Sequence, residues 1–217
     1  METYTKDNLT IYNANCMDIM AQYEDGYFDL AVVDPPYGIG VNISMGRRKG
    51  QKRSDYHKYA GGDKYPPSPA YFKELIRVSK NYIIWGANHY VENIPNANSP
   101  CWIVWNKRFS NKVSFASAEL ACTSFDSVVK MFVYSPNNNK DTRIHPTQKP
   151  IPLYAWIYEN YAKPGQRILD THLGSGSNAI AAQYAKMGEF VGVELDPDYF
   201  QASVERIKRE TRQLSLF

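Results

Sequence analysis

The chain has 217 residues, 43% hydrophobic and 22% charged, an ordinary soluble balance with enough length for one well-buried domain. Its formal charge of +3 is too small by itself to specify a nucleic-acid partner. Cys16, Cys101 and Cys122 form no CxxC pair, the METYTKDN start is polar and no apolar run nears membrane-spanning length, so a reducing, cytoplasmic setting without a zinc site is expected.

Apolar β-rich runs alternate with helical patterns, which predicts an α/β fold with helices on the faces of a sheet. The expected strands are Leu9–Asn13, Phe28–Val33, Tyr82–Trp85, Trp102–Trp105, Lys130–Tyr134, Arg167–Asp170 and Phe190–Glu194. One helix is expected after a capping Ser68, with proline first and Phe72, Leu75 and Ile76 on one face. Another runs from Ser177 to a stop at Gly188, and the last opens at Asp196-Pro197 and turns Phe200, Val204 and Ile207 inward. Residues 38–67 and 135–149 fit this alternation poorly, and irregular segments on a rigid sheet are where recognition usually sits. The 17 tyrosines suit either a half-buried aromatic core or a wet, base-stacking surface.

The second expected strand runs into Asp34-Pro35-Pro36-Tyr37, and two consecutive prolines cannot continue a sheet ladder. The strand thus ends on a carboxylate, a rigid backbone and an aromatic ring. A turn-capping role would explain Asp34 but not its neighbours. Between Gly38 and Lys64, seven cations stand against two anions, a local charge of +5. Arg47, Arg48, Lys49, Lys52, Arg53 and Lys58, with Tyr56, His57 and Tyr59 interleaved, suit a phosphate-tracking segment and equally a solvated loop.

RILDTHLGSGSNAIAA reads as a strand, a tight glycine turn and a helix start. Gly174 and Gly176 let the backbone turn and approach a ligand, and the helix start offers free N–H groups to a negative group. With Ala179 the spacing is G-x-G-x-x-A. Glu194, ending the next strand, is placed to accept hydrogen bonds from ribose hydroxyls. A dinucleotide fold would open with this unit, whereas here it comes last, so N-terminal strands must complete a circularly permuted sheet. Leu9–Asn13 would bring Met17 and Asp18 over the ligand, where Asp18 either accepts from an adenine amino group or caps a helix.

NCMDIM, DLAVVDPPYG, HPTQKP, LDTHLGSGS and VGVELDPDYF, in that order, resemble the motifs of the DNA amino-methyltransferases that act on adenine-N6 or cytosine-N4. The order is that of the β-type members, and the chain is most similar to small phage- or prophage-type adenine-N6 enzymes. The resemblance implies a Rossmann-like, circularly permuted methyltransferase fold over residues 1–217, with a mostly parallel seven-stranded sheet and helices on both faces. It implies S-adenosylmethionine as methyl donor, S-adenosylhomocysteine as product, and no metal. Asp170, His172, Gly174, Ser175, Gly176 and Ser177 would line the cofactor, and Glu194 with Leu195 would hold its ribose end. Met17 and Asp18 would meet its adenine, and His145, Thr147 and Lys149 its methionine portion.

The same resemblance gives the strand tip a task. Asp34 and the Pro35 carbonyl would accept the two amino hydrogens of a target base, with Pro36 stiffening the tip and Tyr37 stacking the ring. Extruding that base costs roughly a few kcal/mol. His172 stands where most relatives have phenylalanine, and Ser177 where threonine is common. The implied partner is double-stranded DNA, met by the basic segment 38–67 and by a target-recognition region at 106–147, since no separate recognition domain is visible. Glu119, polar within the apolar FASAELACTSF, is either a structural hydrogen-bonding group or a base-reading residue. A homodimer and a cognate restriction enzyme are compatible with this reading, as is a bacterial or phage protein acting in the bacterial cytoplasm. Asp34 in place of serine favours adenine-N6. Cytosine-N4 methylation is the alternative, and a catalytically silent DNA-binding relative is the reading from another class.

Overall fold

The computed structural model describes residues 1–40, 63–109, 116–136 and 143–212. Its strands are β1 (Glu2–Lys6), β2 (Leu9–Asn13), β3 (Leu30–Val33), β4 (Tyr82–Trp85), β5 (Trp102–Asn106), β6 (Ala118–Thr123), β7 (Lys130–Val133), β8 (Arg167–Asp170) and β9 (Glu189–Glu194). Its helices are α1 (Cys16–Met20), α2 (Pro69–Val78), α3 (Ile151–Tyr161), α4 (Ser177–Tyr184) and α5 (Pro197–Thr211). The strands form one sheet in the order β1-β2-β9-β8-β3-β4-β6-β5-β7. The five strands from β2 to β4 are mutually parallel. β1 is antiparallel to β2, and β6 is antiparallel to both β4 and β5.

Every residue of β3 and of β4 is buried, as expected of strands covered on both faces. Leu30, Val32, Ile83 and Trp85 enter a core with α3, α4 and α5. Their neighbours Ala31, Val33, Tyr82 and Ile84 enter another with α1 and α2. Helices therefore cover both faces, and the strand period of two divides the side chains between them.

All seven expected strands are present, and among the described residues the sheet has nine. β1 escaped notice because its five residues, mostly exposed, carry no apolar run; it is a hairpin arm that turns through Asp7 at φ 52°. β6 was hidden by Glu119 within it. β3 starts at Leu30, with Phe28 held in a separate bridge to Ser79. α4 ends at Tyr184, short of Gly188, and the Ser68 side chain makes no capping bond to α2. Asn15 caps α1 by accepting from Met17 N–H, which leaves Asp18 inside the first turn instead of at the cap. Among the described residues no helix is long and apolar enough to cross a membrane.

β8 leads through α4 to β9 on one side, and β3 leads through α2 to β4 on the other. Because α4 and α2 lie on opposite faces, the C-terminal ends of β8 and β3 flank a topological switch point. Open α/β sheets bind ligands in that crevice.

Candidate active site

β3 delivers Asp34 directly beyond its last buried residue, Val33. The Asp34 carboxylate contacts the Lys149 ammonium and accepts the Tyr37 hydroxyl at 2.8 Å. Lys149, with only 4% of its side chain exposed, also reaches Glu119 Oε2 at 3.1 Å and donates to the Tyr37 hydroxyl oxygen at 3.2 Å. Glu119 is paired in turn with Lys107. Asp34, Lys149, Glu119 and Lys107 thus alternate in sign along a largely buried chain of four charges, an arrangement that offsets the cost of removing each from water.

The two carboxylates differ. Burial lifts the Asp34 carboxyl above its ordinary range despite Lys149 beside it. Glu119 feels burial too, yet Lys149 and Lys107 hold its carboxyl at about 2. Burial opposes the charge on Lys149, but Asp34 and Glu119 outweigh it and raise its pKa. Glu119 is the firmer anion of the pair, because two ammonium groups converge on it.

Tyr37 sits in a built seat. Its ring stacks on His89 with centroids 5.1 Å apart and planes 18° from parallel, and Tyr90 lies 6.4 Å away. Asp63 accepts from the backbone N–H groups of Tyr37 and Gly38 at 2.6 and 2.9 Å. Burial, reinforced by Asp34, pushes the Tyr37 phenol well above its usual range, so it remains a donor. Glu119 reaches this place because β6 runs antiparallel to β4, which brings the start of β6 to the end of β4.

The glycine turn lies at the end of the adjacent strand β8. Gly174 and Gly176 adopt φ 53° and 75°, left-handed values that favour glycine. Glu194 Oε2 accepts the Gly174 N–H at 2.8 Å, and Oε1 accepts that of Asp196 at 2.9 Å. Burial pushes the carboxyls of both Asp170 and Glu194 up to about 7. The His172 ring faces Thr171 Oγ1 at 2.9 Å and meets Tyr71 edge-on; burial lowers its pKa to about 4. Arg206 of α5 clamps the turn, donating to the Ser175 carbonyl at 2.6 Å and to Ser177 Oγ at 2.9 Å.

Three contacts join the two strand ends. Asn178 Nδ2 donates to the Val32 carbonyl at 3.0 Å and to Asp170 Oδ2 at 2.9 Å. Ser177 Oγ donates to the Lys149 carbonyl at 2.7 Å. The His145 ring lies 3.8 Å from where a Cβ on Gly174 would sit, and packs edge-on against Tyr199. HPTQKP is therefore laid across the glycine turn, while its lysine reaches over to Asp34.

The structure thus gathers Asp34, Tyr37 and Lys149 at one strand end, and Asp170, His172, Gly174, Ser175, Gly176, Ser177, His145 and Glu194 at the next. Lys149, expected at the methionine portion of the cofactor, spans both strand ends, its ammonium on Asp34 and its carbonyl on Ser177 of the turn. Pro35 is buried and Pro36 half-buried. Met17 and Asp18 lie in α1, just past the point where Asn13 pairs with Glu194. Thr147 Oγ1 lies 3.1 Å from His145 Nδ1, and Leu195 is 51% exposed beyond β9. Arg47, Arg48, Lys49, Lys52, Arg53 and Lys58 lie outside the described residues. Within 106–147, β6 and β7 belong to the sheet, and residues 110–115 and 137–142 lie outside the described residues. Sequence reasoning missed Gly86, His89, Lys107, Asn178 and Arg206. The glycine directly after the apolar strand YIIW was the one available signal; the others act through partners distant in the chain.

A family model described as DNA methylase matches residues 80–205. The type II methyltransferase M2.MboI of Moraxella bovis is 22% identical over 239 residues, covering 92% of this chain and 87% of that protein. Two solved structures share the fold. The M1.HpyAVI–SAM complex has a TM-score of 0.57 at 18% identity, covering 91% of this chain and 99% of its own. The PvuII cytosine-N4-specific DNA methyltransferase has a TM-score of 0.63 at 11% identity, covering 97% and 94%.

Proposed function

The chain belongs to the DNA methylase family of N6/N4 type, and on that premise we propose that it methylates the exocyclic N6 amine of adenine in double-stranded DNA with S-adenosylmethionine as donor. One observation carries the reading. The Asp34–Tyr37 tip and the glycine turn occupy neighbouring parallel strand ends, tied together by Asn178. A group gripped by the tip and a ligand held on the turn would therefore be side by side.

The turn suits this cofactor. Around Gly174 the nearest heavy atom to an added Cβ is 3.8 Å away, so the backbone is approachable. Buried carboxylates at Asp170 and Glu194 supply acceptors for ribose hydroxyls and counter-charge for a cationic ligand. The M1.HpyAVI neighbour was solved with SAM. When bound, S-adenosylmethionine supplies an electrophilic sulfonium methyl group.

The residues of the chain do the rest. Met17 and Asp18 would border the adenine end of the cofactor, Glu194 with Leu195 its ribose end, and His145, Thr147 and Ser175 its methionine end. An adenine amine is a weak nucleophile because its lone pair is delocalised into the ring. Asp34 and the Pro35 carbonyl accept hydrogen bonds from its two N–H groups and draw the nitrogen toward tetrahedral geometry. Tyr37, with His89 beside it, forms the aromatic wall for an extruded base. Residues 1–217 act as one catalytic unit in the bacterial cytoplasm, and the segments 38–67 and 106–147 meet the DNA.

Cytosine-N4 methylation is the second reading, because the same tip would grip either amine and the PvuII cytosine-N4 enzyme shares the fold. The test is transfer of label from methyl-tritiated S-adenosylmethionine into DNA. Label should enter with the native protein and fail to enter with Asp34→Ala, which should still bind cofactor. No label with a native protein that binds cofactor would overturn the reading.

A further inference from the structure

Lys149 has three donors and three partners, and all are accounted for: Asp34, Glu119 and the Tyr37 hydroxyl. That arrangement poses a problem for the proposed chemistry. Asp34 must accept a hydrogen from the incoming amine, yet one of its oxygens is against an ammonium and the other accepts from Tyr37. Each oxygen keeps a second lone pair, but the ammonium draws off the negative charge that would make a hydrogen bond from the amine a strong, charge-assisted one. Lys149 is too deeply buried to leave for water, so releasing Asp34 requires another anion within its reach.

Glu119 is that anion. It lies 3.1 Å from the Lys149 ammonium, and its second oxygen is held by Lys107 from β5's end. It stands on β6 opposite Trp105, in the rigid interior of the sheet. No DNA backbone is needed to explain a carboxylate there. We propose that Glu119 is a positioning residue, the reserve counter-ion that takes over Lys149 when a target base docks and so frees the Asp34 carboxylate to receive the amine. The inference rests on the methyl-transfer reading above. In its absence the four charges would be a static network.

The two roles for Glu119 differ in how its removal combines with that of Lys149. A reserve counter-ion acts through Lys149, and the 3.4 Å contact of Glu119 with the Tyr37 hydroxyl leads to the same Asp34 cluster. A base-reading Glu119 acts independently of Lys149, and a Glu119 that only belongs to a static network with Lys149 shows its loss in urea denaturation of the same variants while kcat stays within about twofold. A double-mutant cycle separates them. The native protein, Glu119→Gln, Lys149→Met and the double variant are compared for methyl transfer into unmethylated bacterial genomic DNA, with S-adenosylmethionine binding measured on each. Glu119→Gln should lower kcat about tenfold or more while KM for DNA stays within about twofold, since the loss falls on the reacting complex. In the Lys149→Met background the same change should cost no more than about twofold further. Glu119→Asp should recover part of the loss.

Multiplying losses, or a KM for DNA that rises with kcat unchanged, would overturn the proposal while leaving methyl transfer standing. An inactive native protein that binds cofactor would overturn both. Should Lys149→Met fail to bind cofactor, Lys149→Gln, whose amide can still donate to Asp34, replaces it in the same cycle with the same criteria.

Discussion

A methyl group on Gly86 would lie 2.1 Å from Cε1 of Tyr37. The end of β4 is therefore shaped around a ring presented by the end of β3. Gly86 also adopts φ 71°, so the position excludes a side chain twice over. Gly86→Ala should displace Tyr37, destabilise the protein by about 1–3 kcal/mol and lower methyl transfer more than cofactor affinity. Urea denaturation and cofactor titration on the same variant check both parts.

His89 stacks on Tyr37 from an exposed position at the site's rim. It adds an aromatic surface without anchoring the core. His89→Ala should leave thermal stability nearly unchanged and raise KM for DNA several-fold, on the scale of about 1 kcal/mol for a lost ring contact. Steady-state kinetics against DNA concentration is the measurement.

Asn178 is a buried brace. Its amide nitrogen serves Val32 and Asp170, and its oxygen accepts the Tyr158 hydroxyl. Asn178→Leu would leave buried polar groups without their partner, and should cost about 2–4 kcal/mol in denaturant unfolding. The loss should extend to cofactor binding, because Asp170 is one of the groups it holds.

The pH dependence follows from Asp170 and Glu194, whose carboxyls burial pushes up to about 7. Their folded pKa values lie above the unfolded ones, so the folded state binds more protons between the two. Their contribution to stability is therefore fullest below about pH 4 and is lost as pH rises to about 7. Glu119, held at about 2, has the opposite sign, and its contribution is lost only as pH falls below about 4.5. A cationic cofactor prefers the ionised carboxylates, so S-adenosylmethionine should bind more tightly at pH 8 than at pH 6 and release protons on binding at the lower pH. Calorimetry in buffers of differing ionisation enthalpy reads that release directly.

Much of this was legible in the sequence where chemistry is local. DLAVV followed by DPPY can only be a buried strand that stops, and LGSGS after RILD can only be a tight turn into a helix. The alternation of elements placed both in one sheet. What was not legible depends on partners far along the chain. β6 contains a glutamate that breaks its apolar run, and the reason is a lysine 30 residues later, in a segment that reads alone as a proline-bounded loop. β1 is a polar edge strand with nothing to bury, so pattern cannot reveal it. Asn178 and Arg206 look like ordinary surface residues of two helices until packing shows that both point at the turn.

On the proposed function, the tip of β3 grips an adenine amine. Enzymatic digestion of DNA treated with the protein and S-adenosylmethionine, followed by mass spectrometry of the nucleosides, tests it most directly. N6-methyladenine, absent from DNA treated with Asp34→Ala, is the predicted result. N4-methylcytosine in its place, or no methylated nucleoside despite cofactor binding, would contradict it.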